Sequence, residues 1–280
     1  MNRTRIAWVV LAALGAATYG PVLARLAATW WNDSEYSHGL ICVPLAAVIV
    51  WYRRHELSGL RRMPSRAGLF GAVAALALLL IGTLGAELFL TRASLLLFLS
   101  SAVVYLFGWR HLRAVAFPLA IVALSIPIPA ILMTHITLPL QFAASAAAEA
   151  ALSVVRIPVL REGNVLVLPD ATLQVAEACS GVRSMMSLLV IGVVVARIMD
   201  RHLVTRMAIV AAAVPVTIAI NAVRVTATAV ATEYYGIAAA EGVVHEALGI
   251  ILFFASAALL VAFARFLSTM APRVHLRLQS

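Results

Sequence analysis

Stretches of about 20 apolar residues recur along this chain, and nothing constrains its fold more, because a helix needs about that length to cross a bilayer. In lipid every backbone N–H and C=O must find its partner inside the protein, so such segments are helices unless they close into a barrel. Apolar segments run at 6–29, 38–52, 67–86, 93–109, 114–133, 180–199, 207–235 and 245–267. Hydrophobic residues make up 63% of the 280 and charged residues 12%, which leaves little for a separate soluble domain. The expectation is an all-α integral membrane protein, one domain over 1–280, built as a polytopic bundle of about eight transmembrane helices. The basic start at Arg3 and Arg5 resembles that of a signal sequence, but no small-residue cleavage site precedes Trp30-Trp31, so the first segment reads as an uncleaved span.

The formal charge of +9 comes wholly from arginine. Nucleic-acid binding is not expected, because these arginines lie mainly between apolar segments, where they set membrane orientation. Arg53, Arg54, Arg61, Arg62 and Arg66 share the loop between the second and third spans, which places that loop in the cytoplasm. Counting crossings from it puts Arg3, Arg5, Arg110, Arg113, Arg201, Arg206, Arg273 and Arg277 on the same side. Both termini are then cytoplasmic. Two cysteines, Cys42 and Cys179, are too few for a disulfide framework and lack metal-ligand spacing, so no metal or other cofactor is expected.

Residues 134–178 interrupt the pattern. A full crossing at 134–156 would invert the later arginine distribution, so this alanine-rich stretch reads as an interfacial helix along the outer leaflet. From Val159 to Asp170 the sequence alternates and turns, as a small extracytoplasmic hairpin-like flap would.

Three ionisable groups at or inside spans carry the chemical argument. Cys179, in Ala178-Cys179-Ser180-Gly181-Val182-Arg183-Ser184, falls at the outer start of the sixth span. There the unpaired N–H groups and dipole of a helix favour a thiolate and later an oxyanion. A cysteine at a helix end is more often a small packing residue, so the neighbours decide. Arg224, in Asn221-Ala222-Val223-Arg224, lies about 16 Å by helical rise inside the seventh span and needs an anionic partner. A buried acid such as Glu177 or Glu233 is as good a partner as a reaction intermediate. Asn221 and Thr228 share its face. His245 opens the eighth span with a side chain suited to proton transfer, though alone it reads as an interfacial histidine. Thiol, guanidinium and imidazole from three consecutive spans converge on one leaflet, as acyl transfer requires. In the first outer loop, Tyr36-Ser37-His38-Gly39 is either a recognition element or a solvated loop with aromatic anchors. His38 and Cys42 form a weaker rival pair, because Cys42 lies a turn into lipid with no helix N-terminus behind it.

These motifs resemble the exosortase branch of the exosortase/archaeosortase family, over most of the chain. The markers are Tyr36-Ser37-His38-Gly39, Glu177-Ala178-Cys179-Ser180-Gly181 with Arg183-Ser184, Asn221-Ala222-Val223-Arg224, and His245 with Gly249. The resemblance implies a catalytic Cys179, Arg224 and His245, with Ser180, Gly181, Glu177, Asn221, Tyr36, His38 and Arg183 as supporting or substrate-binding residues. It further implies a cysteine peptidase or transpeptidase in the bacterial inner membrane, its site on the extracytoplasmic face. Its partners would be membrane-tethered precursors that end in a Pro-Glu-Pro-type motif, an apolar helix and an arginine cluster, with a lipid or glycan as acceptor and membrane lipid around it.

Two other classes compete. A transporter would line its path with Asn221, Arg224, Glu149 and His245 and use the Ile126-Pro127-Ile128-Pro129 interruption, although no inverted repeat is visible. An assembly subunit for exopolysaccharide export would need none of the three reactive residues.

Overall fold

Where the apolar runs are long they form helices, and where proline, glycine or clustered arginine intervenes the helices end. The computed structural model describes residues 3–169, 171–175, 181–199, 202–236 and 242–270. The described residues form ten helices: α1 (Arg3–Asn32), α2 (Gly39–Tyr52), α3 (Arg54–Gly59), α4 (Ala67–Leu84), α5 (Leu88–Leu106), α6 (Trp109–Leu124), α7 (Ala130–Val154), α8 (Val182–Met199), α9 (Leu203–Tyr235) and α10 (Gly242–Met270). Three short strands, β1 (Leu160–Glu162), β2 (Val165–Val167) and β3 (Thr172–Gln174), lie between α7 and α8. By length and composition, α4, α5, α7, α8, α9 and the Glu246–Met270 part of α10 can cross a membrane, and α2 is a shorter apolar helix. The protein is an all-α multi-pass membrane protein with a small sheet where the flap was expected.

One expected span is not a single helix. The segment 114–133 is divided, with α6 ending at Leu124 and α7 starting at Ala130. Pro127 and Pro129 explain the break, since each lacks an N–H and disfavours helical backbone in the residue before it. The stretch expected as an interfacial helix from 134 belongs to the 25-residue α7, which is long and apolar enough to cross.

The chain divides into two compact units, Met1–Ala130 and Ile131–Ser280. In the first, α4 and α5 form a tight hairpin whose seam runs along glycine. A Cβ on Gly68 would strike the backbone of Ser101 and Tyr105, and one on Gly82 would come 2.8 Å from Thr91 N. Small residues at such seams let membrane helices approach and gain dispersion contacts, the main attraction left when lipid is as apolar as the side chains. Arg53, between α2 and α3, is held by both carboxylate oxygens of Glu56 at 2.7 and 2.9 Å and donates to Ala114 O at 2.6 Å, fastening the arginine loop to α6.

In the second unit α8, α9 and α10 pack around Leu188, Ala196, Ile209, Ala213, Leu260 and Ala264. The flap is a three-stranded antiparallel meander rather than one hairpin, in the order β1-β2-β3. Glu162 pairs with Val165, so a two-residue loop, Gly163-Asn164, joins β1 and β2, with Gly163 at φ +67°. That geometry favours glycine at the first loop position. Leu166 of the flap joins Ala144, Ala148, Val175 and Val225 in one buried cluster, and Leu168 joins Leu152, Ile157 and Ala229 in another. Helix α7 and the flap therefore pack against the C-terminal third of α9. Polar links add to this: Ser145 Oγ donates to Gly163 O at 2.9 Å, Asn164 Nδ2 to Gln141 Oε1 at 2.9 Å, and Arg161 Nε to Glu149 Oε2 at 2.7 Å.

Candidate active site

On α9, positions 217, 221 and 224 fall on one helical face, at i, i+4 and i+7. They carry Thr217, Asn221 and Arg224, the first two buried. Both neighbouring helices meet this stripe through a glycine. Gly181, immediately before α8, has φ +79°, and a Cβ there would lie 3.1 Å from Asn221 Cγ and 3.2 Å from Thr217 Cγ2. Gly249 of α10 lies against the guanidinium, where a Cβ would be 3.0 Å from Arg224 Nη2 and 3.2 Å from Cζ. A small cavity of about 10 Å³ remains among Ser184, Thr217, Asn221, Arg224, Gly249 and Ser256. That is room for about one water molecule. Glu233, almost three turns further along α9, has a buried Oε2 without a hydrogen-bond partner among the described residues.

The geometry brings together the flanks of all three reactive residues named from the sequence. Arg224 is in place between α9 and α10. Cys179, Ser180 and Glu177 lie outside the described residues, one to four positions before Gly181. His245 occupies a backbone position in α10 one turn before Gly249, and its side chain lies outside the described part. Arg183 is exposed on α8. Ser184 belongs to the Arg183-Ser184 marker; Thr217 was not singled out in the sequence, although its i−4 spacing from Asn221 would have found it.

Tyr36 and His38 belong to the first unit, and both are buried. The break after α6 explains them. A helix end leaves carbonyls without intrahelical partners, and Pro127 and Pro129 supply no N–H to help. Trp30 Nε1 donates to Ser125 O at 2.8 Å, and His38 Nε2 lies 3.2 Å from Leu124 O. A carbonyl only accepts, so Nε2 carries the proton in that contact. Burial, with Glu35 adding to it, raises the Tyr36 phenol above its usual range, while the Ile128 backbone beside its hydroxyl acts in the opposite sense. Gly39 packs on the face of Trp30, where a Cβ would collide with the indole. Cys42 is fully buried, and its N–H donates to His38 O at 3.1 Å at the start of α2, while His38 Nδ1 has no hydrogen-bond partner among the described residues.

A comparison with family models covers the same residues. Residues 30–262 match the family model for transmembrane exosortase, Exosortase_EpsH. The chain belongs to the transmembrane exosortase family. The match runs from Trp30 to Val261 and beyond by one residue, so it takes in both the capped first loop and the Gly181, Arg224 and Gly249 cluster. No curated protein and no solved structure matches the chain.

Proposed function

We propose that this exosortase-family protein is a membrane-embedded cysteine transpeptidase that cleaves a C-terminal sorting signal from precursors tethered in the bacterial inner membrane. The observation that supports it best is the meeting of Gly181 with Asn221 and of Gly249 with Arg224. The chain itself holds Cys179 within about 7 Å of Gly181, because two residues reach no further. His245 and Gly249 are i and i+4 neighbours on one face of α10. Gly249 brings α10 against the Arg224 guanidinium, and Gly181 brings the start of α8 against Asn221 on the same face of α9.

In the mechanism, the Cys179 thiolate attacks the scissile carbonyl carbon, and the developing oxyanion takes hydrogen bonds from Arg224 or from the Ser180 and Gly181 N–H groups. Collapse to a thioester breaks the peptide bond, and His245 gives its proton to the departing amine. The second acceptor, an amine or hydroxyl on an envelope lipid or glycan, then attacks the thioester while His245 takes its proton, and the thiolate is regenerated. Water in that role makes the enzyme a protease. The arginine distribution supports an extracytoplasmic site with both termini in the cytoplasm.

The test is an in-cell processing assay with a tagged precursor bearing a Pro-Glu-Pro-type tail, resolved by gel mobility. Cys179→Ala and Cys179→Ser are expected to abolish the mobility shift, and Cys42→Ala to leave it intact. Processing that survives both Cys179 variants would return the transporter and assembly-subunit readings to first place.

A further inference from the structure

The first unit holds a second buried arginine that the reaction does not use. Arg92 sits one turn inside α5, about 6 Å by helical rise from the start of that helix, and is only 6% exposed. Its Nη2 donates to Thr29 Oγ1 at 2.8 Å. No carboxylate among the described residues forms an ion pair with it, although the charge of Glu87 acts on it through space. Glu87, the nearest acid along its own helix, spends Oε2 on the Leu90 N–H as the cap of α5. A guanidinium at that depth with no carboxylate in direct contact is costly.

Beside it opens a cavity of about 260 Å³, formed where α1, α4 and α5 come together. Arg25 of α1 shares the lining, two turns before that helix ends and exposed at the rim. The remaining walls are mostly apolar, with Val22, Leu79 and Leu88 among them, and no acidic side chain lines the cavity. Two cations therefore face one space with mostly apolar walls, near the end of α1 and the start of α5. A soluble anion would match the cations but not the apolar walls.

We propose that this cavity binds an anionic phospholipid, its phosphate held between Arg92 and Arg25 and an acyl chain lying along Val22, Leu79 and Leu88. Arginine suits the task because its fork offers paired donors to phosphate oxygens. The site is independent of the sorting reaction, so its failure and the failure of the proposed function are separate results.

The test uses the full chain, purified in neutral detergent and stripped of native lipid. Retention of phosphatidic acid, of diacylglycerol with the same chains, and of inorganic phosphate is compared by native mass spectrometry. The wild type is expected to prefer phosphatidic acid over diacylglycerol by at least about tenfold, the scale of one charge-assisted hydrogen bond. Arg25→Gln is expected to lower that preference several-fold, and Arg25→Gln with Arg92→Gln to remove it. Arg92→Lys, which keeps the charge in the span, guards against a fold that cannot accept the neutral variant and should retain part of the preference. A preference that survives the double variant overturns the proposal. So does inorganic phosphate that displaces phosphatidic acid at equal concentration, since the ligand would then be a soluble anion.

Discussion

Two sets of polar residues marked the sequence as unusual, and the fold spends them in opposite ways. In the first unit Trp30 and His38 turn toward the carbonyls of Ser125 and Leu124 at the end of a helix that stops ahead of two prolines. They complete a backbone that proline left unfinished. In the second unit Arg224 is pressed between helices by Gly249, and Asn221 by Gly181, with a water-sized cavity at their centre. The comparison teaches that a polar motif at a span end has two sources of value, backbone satisfaction and chemistry, and that the partner tells them apart. A carbonyl at a helix terminus marks the first, and the proposed function assigns the glycine-packed Arg224 to the second.

Arg224→Lys should break the comparison most sharply if it is wrong. Lysine keeps the charge but loses the planar fork. Removing a preorganised oxyanion donor typically costs about 10²- to 10³-fold in rate, so processing of a tagged precursor should fall by that order while the melting temperature stays near wild type. Full processing by Arg224→Lys would make the arginine a structural charge and align it with Trp30.

Next in size come the glycines. Gly181→Ala places a Cβ at φ +79°, a backbone conformation that costs an L-residue about 1–2 kcal/mol, and pushes on Asn221 at 3.1 Å. Gly249→Ala meets only the tip of a long side chain, which shifts by a few tenths of an ångström. Misplacement of that kind lowers rate through lost alignment. Both variants should process precursor about tenfold more slowly, with a measurable loss of thermal stability in Gly181→Ala alone. Trp30→Phe should behave in the opposite way. It keeps most of the ring but leaves Ser125 O without its donor, at a cost of about 1–3 kcal/mol for a buried unsatisfied group. The melting temperature should drop, and processing per folded molecule should not change.

Much of the fold was legible because one physical rule, length of apolar run, governs it. The helices at 67–84, 182–199 and 203–235 begin or end within a few residues of the segments read from hydropathy. The split at Ser125–Pro129 was less so. Ile126-Pro127-Ile128-Pro129 is apolar, and hydropathy does not register a missing N–H. The third strand of the flap was missed because 172–174 lies after Pro169 and carries no turn signal of its own. At the site, Asn221 and Arg224 were visible as a polar stripe in a span, since charge in lipid has few explanations. The role of Trp30 was not visible, because an aromatic residue at a span end already has a sufficient explanation as an interfacial anchor.

The smallest effect is expected at the flap, and it sharpens the same distinction between attachment and chemistry. Arg161 and Glu149 meet at 2.7 Å, but their side chains are 32% and 37% exposed. A pair that open to water contributes on the order of 0–1 kcal/mol, less at high salt. Leu166 and Leu168 are buried against α7 and α9 and carry most of the docking. Arg161→Ala should therefore lower the melting temperature only slightly, and a double-mutant cycle with Glu149→Ala should return a coupling inside that range. Leu166→Ala should cost about 2–5 kcal/mol by opening a cavity. If Arg161→Ala nevertheless slowed processing while stability held, the ion pair would be holding the flap in a position the reaction needs, and the polar residues of the flap would move from the class of Trp30 to that of Arg224.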